Sequence, residues 1–218
     1  MVKHTEIIFI IDKSGSMGHL ADDTIGGFNS FIASQKDDTK TTLTTVLFDS
    51  SWTVLHDGLD IYEVSPMTNK DYMTGGMTAM LDAIGETINR VQDRHDELGE
   101  EKPDNVLFVI TTDGQENSSR NFKKAQIERM IKHQTKSHGW EFIFLGANMD
   151  AVEEAASIGI SSANSITYDY SSRGVAGTYV AMSCAANTIK TSATLDGFDL
   201  GETYSKSVSA ESYTTTTK

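Results

Sequence analysis

Cysteine, proline and basic side chains are scarce in this chain, and each shortage removes a class of protein. A single cysteine, Cys184, excludes an internal disulfide framework and fits a reducing compartment. It stands in an alanine-rich helical pattern, where a small buried residue is expected. Pro66 and Pro103 are the only prolines, so long stretches are free to form regular structure. Lysine and arginine number 18 against 31 acidic residues, a formal charge of −13 that repels phosphate backbones and argues against nucleic acid and anionic membranes as partners. No segment approaches the ~20 apolar residues needed to cross a bilayer. The opening "MVKHTEIIFIID" has too short an apolar run for a secretory leader, and a soluble, cytoplasmic protein is the expectation.

What is present is alternation. Short apolar runs at Glu6–Ile11, Thr42–Phe48, Trp52–Leu55, Asn105–Thr111, Glu141–Leu145 and Ser165–Tyr168 are separated by longer helical patterns. "IIFII" and "VLFVI" are apolar on both faces, as central strands of a parallel sheet covered on each side must be. After "TLTTVLF" the tight return "FDSSW" predicts an antiparallel edge strand at Trp52–Leu55. Three apolar stripes have helical spacing: Leu81, Ile84, Ile88 and Val91; Ile127, Met130 and Ile131; Val175, Tyr179, Met182, Ala186 and Ile189. The pattern predicts an α/β fold, a doubly wound Rossmann-like sandwich on a mostly parallel six-stranded sheet. Residues 1–190 form the domain, and 191–218, rich in serine and threonine, are expected to be a solvated tail, with a docked arm as the alternative.

In open α/β sheets, ligands bind beyond the carboxyl ends of the strands. Three segments at such places carry oxygen ligands: Asp12-Lys13-Ser14-Gly15-Ser16, Thr74–Met80 with Thr78, and Thr112-Asp113-Gly114. Two carboxylates and three hydroxyls suit Mg²⁺, or Mn²⁺ or Ca²⁺, which prefer hard oxygen ligands, and would leave a position for an outside ligand. No soft ligand is present to favour zinc or copper. Gly15 and Gly18 are expected to let the first loop turn sharply, and Gly75 and Gly76 to let a second backbone come close. Taken singly, serine and aspartate at strand ends also make helix caps and turns.

The three segments together resemble a known family. "DKSGSM" resembles the D-x-S-x-S signature of von Willebrand factor type A domains, "GGMTAM" their threonine loop, and "VITTDGQEN" their T-D-G segment, in the family's order. The resemblance spans Lys3 to Lys190. It implies a metal-ion-dependent adhesion site at Asp12, Ser14, Ser16, Thr78 and Asp113, with protein recognition in which a partner's Asp or Glu completes the metal's coordination. The lean chain looks more like stand-alone bacterial or phage members than animal adhesion proteins.

Other chemistries fit less well. A nucleophile elbow needs G-x-S-x-G, and the leading glycine is absent before Ser16. His19 is expected at the surface. Aspartyl phosphoryl transfer wants a second acid two residues after the nucleophile, where Ser14 stands. No phosphate-cradling G-x-x-x-x-G-K-[ST] occurs. His133 and His138 are five residues apart across a helix end and are expected to be solvated. The run Asp93–Asp104 reads as a charged helix end. Met17 and Met80 are expected in the core, and Met73 and Met77 remain candidate rim contacts. The chain is therefore expected to be a non-enzymatic recognition module. The alternatives are a structural subunit using its tail as an arm, and a Mg²⁺-dependent phosphoryl-transfer enzyme.

Overall fold

A computed structural model describes residues 3–147 and 149–214, with no side chains described beyond Ala210. β1 (His4–Asp12) is buried at every position and lies at the centre of the sheet. The strand order is β3-β2-β1-β4-β5-β6, with β2 (Lys40–Phe48), β3 (Trp52–Asp60), β4 (Asn105–Thr112), β5 (Glu141–Ala147) and β6 (Ser165–Tyr168). All neighbours are parallel except β2 and β3, which form the expected hairpin at one edge.

The two-faced apolar runs do what their composition requires. Ile7, Phe9 and Ile11 enter one core with α1 (Ala21–Ser34) and α5 (Ser172–Ser192). Ile8 and Ile10 enter the other, against α2 (Met80–Leu98), α3 (Lys124–His138) and α4 (Ala151–Ser157). Phe9 meets Phe28 and Phe31 edge-to-face at centroid distances of 5.6 and 4.9 Å. The chain crosses from β1 to β2 on one side and later returns to β4 on the other. The loops after β1 and β4 therefore leave the sheet at its topological switch point.

Several details differ from the sequence reading. β3 runs to Asp60, past the expected Leu55, with register shifts around Thr45 that let an edge strand continue beside β2. Cys184 is exposed, because it lies on the outer side of α5 while Met182, Ala185 and Ala186 face inward. The segment beyond Thr191 is a docked arm, not a solvated tail, over its described length. Leu195 and Leu200 are buried, and α6 (Leu200–Thr214) packs along α5. Residues 215–218 lie outside the described residues. Gly177 permits that approach, since a Cβ there would come within 2.6 Å of Val208. Among the described residues no helix is long and apolar enough to cross a membrane.

β1 also carries a buried charge that its apolar neighbours hide. Glu6 receives hydrogen bonds from Arg94, from Thr44 at 2.9 Å and shares one with His95 at 2.7 Å. Burial pushes its carboxyl up, but the His95 hydrogen bond and the Arg94 guanidinium outweigh burial and hold it below the ordinary range.

Candidate metal centre

β1 ends at Asp12 because the next residues cannot continue a buried strand, and the chain turns into a short 3-10 segment, Gly15–Leu20. Ser14 occupies the cap position of that segment, yet its side chain makes no capping hydrogen bond. The hydroxyl bonds within the loop instead. The Ser14 N–H donates to Asp12 Oδ1 at 2.6 Å, and Ser14 Oγ lies 3.2 Å from Ser16 Oγ. From the end of β4, Asp113 Oδ1 accepts the Ser16 hydroxyl at 2.6 Å.

Thr78 arrives on the third loop, just before α2. A Cβ placed on Gly114 would sit 3.5 Å from Thr78 Oγ1 and 3.8 Å from Ser16 Oγ, so both hydroxyls border one small space that glycine leaves open. All five residues expected from the sequence thus converge. Asp12, Ser14 and Thr78 are buried, while Ser16 is exposed and Asp113 half-buried, which gives the cluster a closed floor and an open side.

The loops are fastened to each other through their main chains. The Gly75 N–H donates to Lys13 O at 2.9 Å, Gly15 N–H to Gly76 O at 3.3 Å, and Ala79 N–H to Asp49 O at 2.7 Å. Gly76 has φ +72°, and a Cβ there would fall 2.7 Å from Ser50 Oγ, so only glycine fits both the conformation and the space. Gly15 and Gly18 have no left-handed φ; the first loop turns without the glycine conformation expected of it.

The electrostatics favour a cation. Asp12 has no exposed surface and, among the described residues, its carboxylate receives hydrogen bonds from Ser14 and from the Thr112 hydroxyl, at 2.6 Å to Oδ2. Burial pushes its carboxyl up to about 6 against these hydrogen bonds, and the Asp113 charge adds to the rise. Burial raises Asp113 as well. The nearest lysine, Lys13, turns away to Asp49 at 2.5 Å and neutralises that acid instead. Two carboxylates on neighbouring loops, with Ser14 and Ser16 hydroxyls between them and no ion pair to either among the described residues, fit a hard divalent ion. Clusters of three or more His, Cys, Asp or Glu suited to a metal do not occur among the described residues, so an ion held here would take its remaining ligands from hydroxyls.

Supporting residues were not foreseen. Thr112 holds Asp12, and Tyr72 donates its hydroxyl to the Asp12 carbonyl. Asn117 Oδ1 accepts the Thr78 N–H at 2.9 Å, and its own N–H donates back to Thr78 O at 3.0 Å. Tyr170, before α5, donates to the Ser16 carbonyl. Most of these contacts involve main-chain atoms, which leave no pattern in a sequence; only the polar run "TTDGQEN" hinted at them. His133 and His138 are exposed, with ring centroids 5.7 Å apart. His19 is exposed too, whereas His95, inside the run read as a charged helix end, is buried.

Comparison with known proteins supports this architecture. The chain is similar in fold to proximal thread matrix protein 1 from the mussel byssus, solved with a zinc-occupied MIDAS motif, at TM-score 0.59 and 16% identity, covering 85% of this chain and 46% of that one. It is similar to a von Willebrand factor type A protein from Catenulispora acidiphila, at TM-score 0.57 and 14% identity, over 84% of this chain and 43% of that one. Manganese-loaded TRAP protein from Plasmodium vivax gives TM-score 0.54 and 20% identity over 77% and 69%. The chain spans less than half the length of the mussel and Catenulispora proteins. No curated protein sequence is close enough to count as a match. The sequence profile of the von Willebrand factor type A domain matches residues 6–180, and the chain therefore belongs to that family, known for metal-dependent adhesion and protein interaction.

Proposed function

We propose that this protein binds a divalent cation through Asp12, Ser14, Ser16, Thr78 and Asp113 and uses it to recognise a carboxylate on a protein partner. The observation that carries this is the convergence of five oxygen-bearing side chains on a space with a buried floor, an exposed side and, among the described residues, no ion pair to either carboxylate. Asp12 and Asp113 would balance the ion's charge, and the three hydroxyls would add neutral ligands. The ion would supply a Lewis-acidic position open to an anionic ligand. Thr112 and Ser14 hold Asp12, Asn117 holds Thr78, and Tyr170 holds the Ser16 backbone, so the ligands are set in place before any ion arrives.

Mg²⁺ and Mn²⁺ both suit these ligands. The Plasmodium relative was solved manganese-loaded and the mussel one with zinc, so this fold accommodates more than one divalent ion. The docking of α6 on α5 weakens the alternative of a free C-terminal arm joining a larger assembly.

Titration calorimetry with Mn²⁺ and affinity purification from the native host test the proposal together. Wild-type protein should bind one ion and retain a partner in Mg²⁺ but not in EDTA; Thr78→Ala and Asp113→Ala should lose both while keeping the wild-type circular dichroism. Partner capture indifferent to EDTA, or undiminished Mn²⁺ binding by Asp113→Ala, refutes it.

A further inference from the structure

The loop that carries Thr78 also displays two large apolar side chains to solvent. Met73 is 68% exposed, more than any other large hydrophobic among the described residues, and Met77 is 53% exposed. Their exposure is not the result of a loose loop. Tyr72 donates to Asp12 O, Gly75 N–H to Lys13 O at 2.9 Å, Met77 N–H to Ser50 Oγ at 2.8 Å, and Thr78 N–H to Asn117 Oδ1 at 2.9 Å. The residues beside each methionine are thus anchored to the loop bearing Asp12, or to its neighbours, while the methionine side chains stay exposed to solvent.

Charge gives this a consequence. The chain carries −13, so its overall field does not draw in an acidic segment. Charges more than ~8 Å away are largely screened at physiological salt. Close to the ion, affinity has to come from coordination and from short-range contact. Met73 and Met77 supply the apolar part of that contact, on a side chain whose flexible thioether adapts to differently shaped apolar groups.

We infer that Met73 and Met77 are specificity-determining residues, and that the partner is a protein segment whose metal-directed Asp or Glu has an aliphatic or aromatic side chain within a residue or two. This rests on the proposed reading of the metal site. It adds a sequence preference that metal coordination by itself does not impose, since any exposed carboxylate can reach an ion.

The test uses a phage-displayed library of random linear peptides, panned on the full chain in Mn²⁺, in EDTA, and on Thr78→Ala. Peptides recovered only on the wild type in Mn²⁺ should contain an acid with an apolar neighbour. The double variant Met73→Ser/Met77→Ser should bind those peptides about tenfold or more weakly, as loss of apolar burial requires. Its calorimetric Mn²⁺ affinity should stay within about twofold of wild type, and Met73→Leu/Met77→Leu should recover most peptide binding. Metal-dependent peptides without an apolar preference, or unchanged peptide binding by the serine variant, overturn the inference and leave the metal reading standing. Failure to recover any metal-dependent peptide overturns both readings, and wild-type Mn²⁺ binding in that same experiment shows whether the fault lies in the ion site or in carboxylate recognition.

Discussion

Replacing Asp12 by asparagine separates a metal ligand from a turn-forming acceptor, because the two roles predict opposite signs. Asp12 is fully buried, and burial moves its carboxyl from 3.8 to about 6. At about 1.4 kcal/mol per unit, holding it ionised at pH 7.5 costs the metal-free native state about 3 kcal/mol. The sign follows from the direction. The native state holds this proton more tightly than the unfolded chain, so metal-free stability from this group falls as pH rises from about 4 to about 6 and stays reduced above that. Asparagine is nearly isosteric. Its oxygen can still accept the Ser14 N–H, and its amide can donate to Thr112 Oγ1, which already accepts the Gly114 N–H at 3.2 Å. With part of the gain lost to imperfect hydrogen bonding, Asp12→Asn should stabilise the metal-free protein by about 1–3 kcal/mol, or about 3–10 °C in melting temperature for a domain of this size.

With Mg²⁺ at about a hundred times its dissociation constant, wild type gains about 2.7 kcal/mol and the variant gains little. Thermal unfolding followed by circular dichroism, in EDTA and in excess Mg²⁺ at pH 7.5, should therefore give crossed rank orders: variant above wild type without metal, and wild type equal or higher with it. A variant that melts lower than wild type by the same amount in both buffers refutes the reasoning, since Asp12 would then be a structural acceptor with no cation to hold.

Three further outcomes follow from the same contacts. Arg94→Met removes a guanidinium from Glu6, which is 1% exposed on its side chain, and should lower urea stability at pH 7 by about 3 kcal/mol. Glu6 is held below its ordinary range, so its stabilisation is present above about pH 4.5 and lost as pH falls; the acid limb of a pH–stability curve should shift upward in the variant. Truncation after Thr194 removes buried Leu195 and Leu200, and should lower stability by about 3–6 kcal/mol in the same urea assay; an unchanged midpoint would show that α6 does not contribute to the core. Gly76→Ala should cost about 1–3 kcal/mol and weaken Mn²⁺ binding in calorimetry, because φ is +72° and Ser50 occupies the space, whereas Gly75→Ala, with nothing near its Cβ, should be close to neutral.

The central strands were legible because apolarity on both faces has one structural solution, and Ile7 through Ile11 do alternate between the two cores. The continuation of β3 was not, since an edge strand is only half covered and Gly58, at φ +61°, breaks the pattern. Composition alone points away from the C-terminal helix. Its apolar side chains are few, but Leu200, Tyr204 and Val208 recur at four-residue intervals, and Gly177 opposite Tyr204 and Val208 lets the two helices come close. That spacing was available in the sequence. Cys184 is flanked in sequence by buried Ala185 and Ala186, yet it falls off the inward stripe formed by Ala181, Met182, Ala185 and Ala186, so an alanine-rich neighbourhood says nothing of which side it takes. The convergence of the three loops was implied by residue type and by the doubly wound order, whereas Thr112, Tyr72 and Tyr170 act at tertiary distances with no periodic signature.

In the proposed reading, the choice of ligands also accounts for how so acidic a chain would recognise an acid. Two carboxylates match the charge of a divalent ion, so the occupied centre would be locally neutral and its ion still short of electron density, because hydroxyls are weak donors. A carboxylate in place of Thr78 would hold the ion more tightly, yet it would leave the centre net negative towards anything arriving from the open side. The nearby acid that could spoil the balance, Asp49, is paired with Lys13 at 2.5 Å. The remaining negative charge is spread over a surface that salt screens within about 8 Å. What an incoming carboxylate would meet at contact distance is then set by three hydroxyls and one ion pair, and the overall charge of −13 would act mainly on how often it arrives.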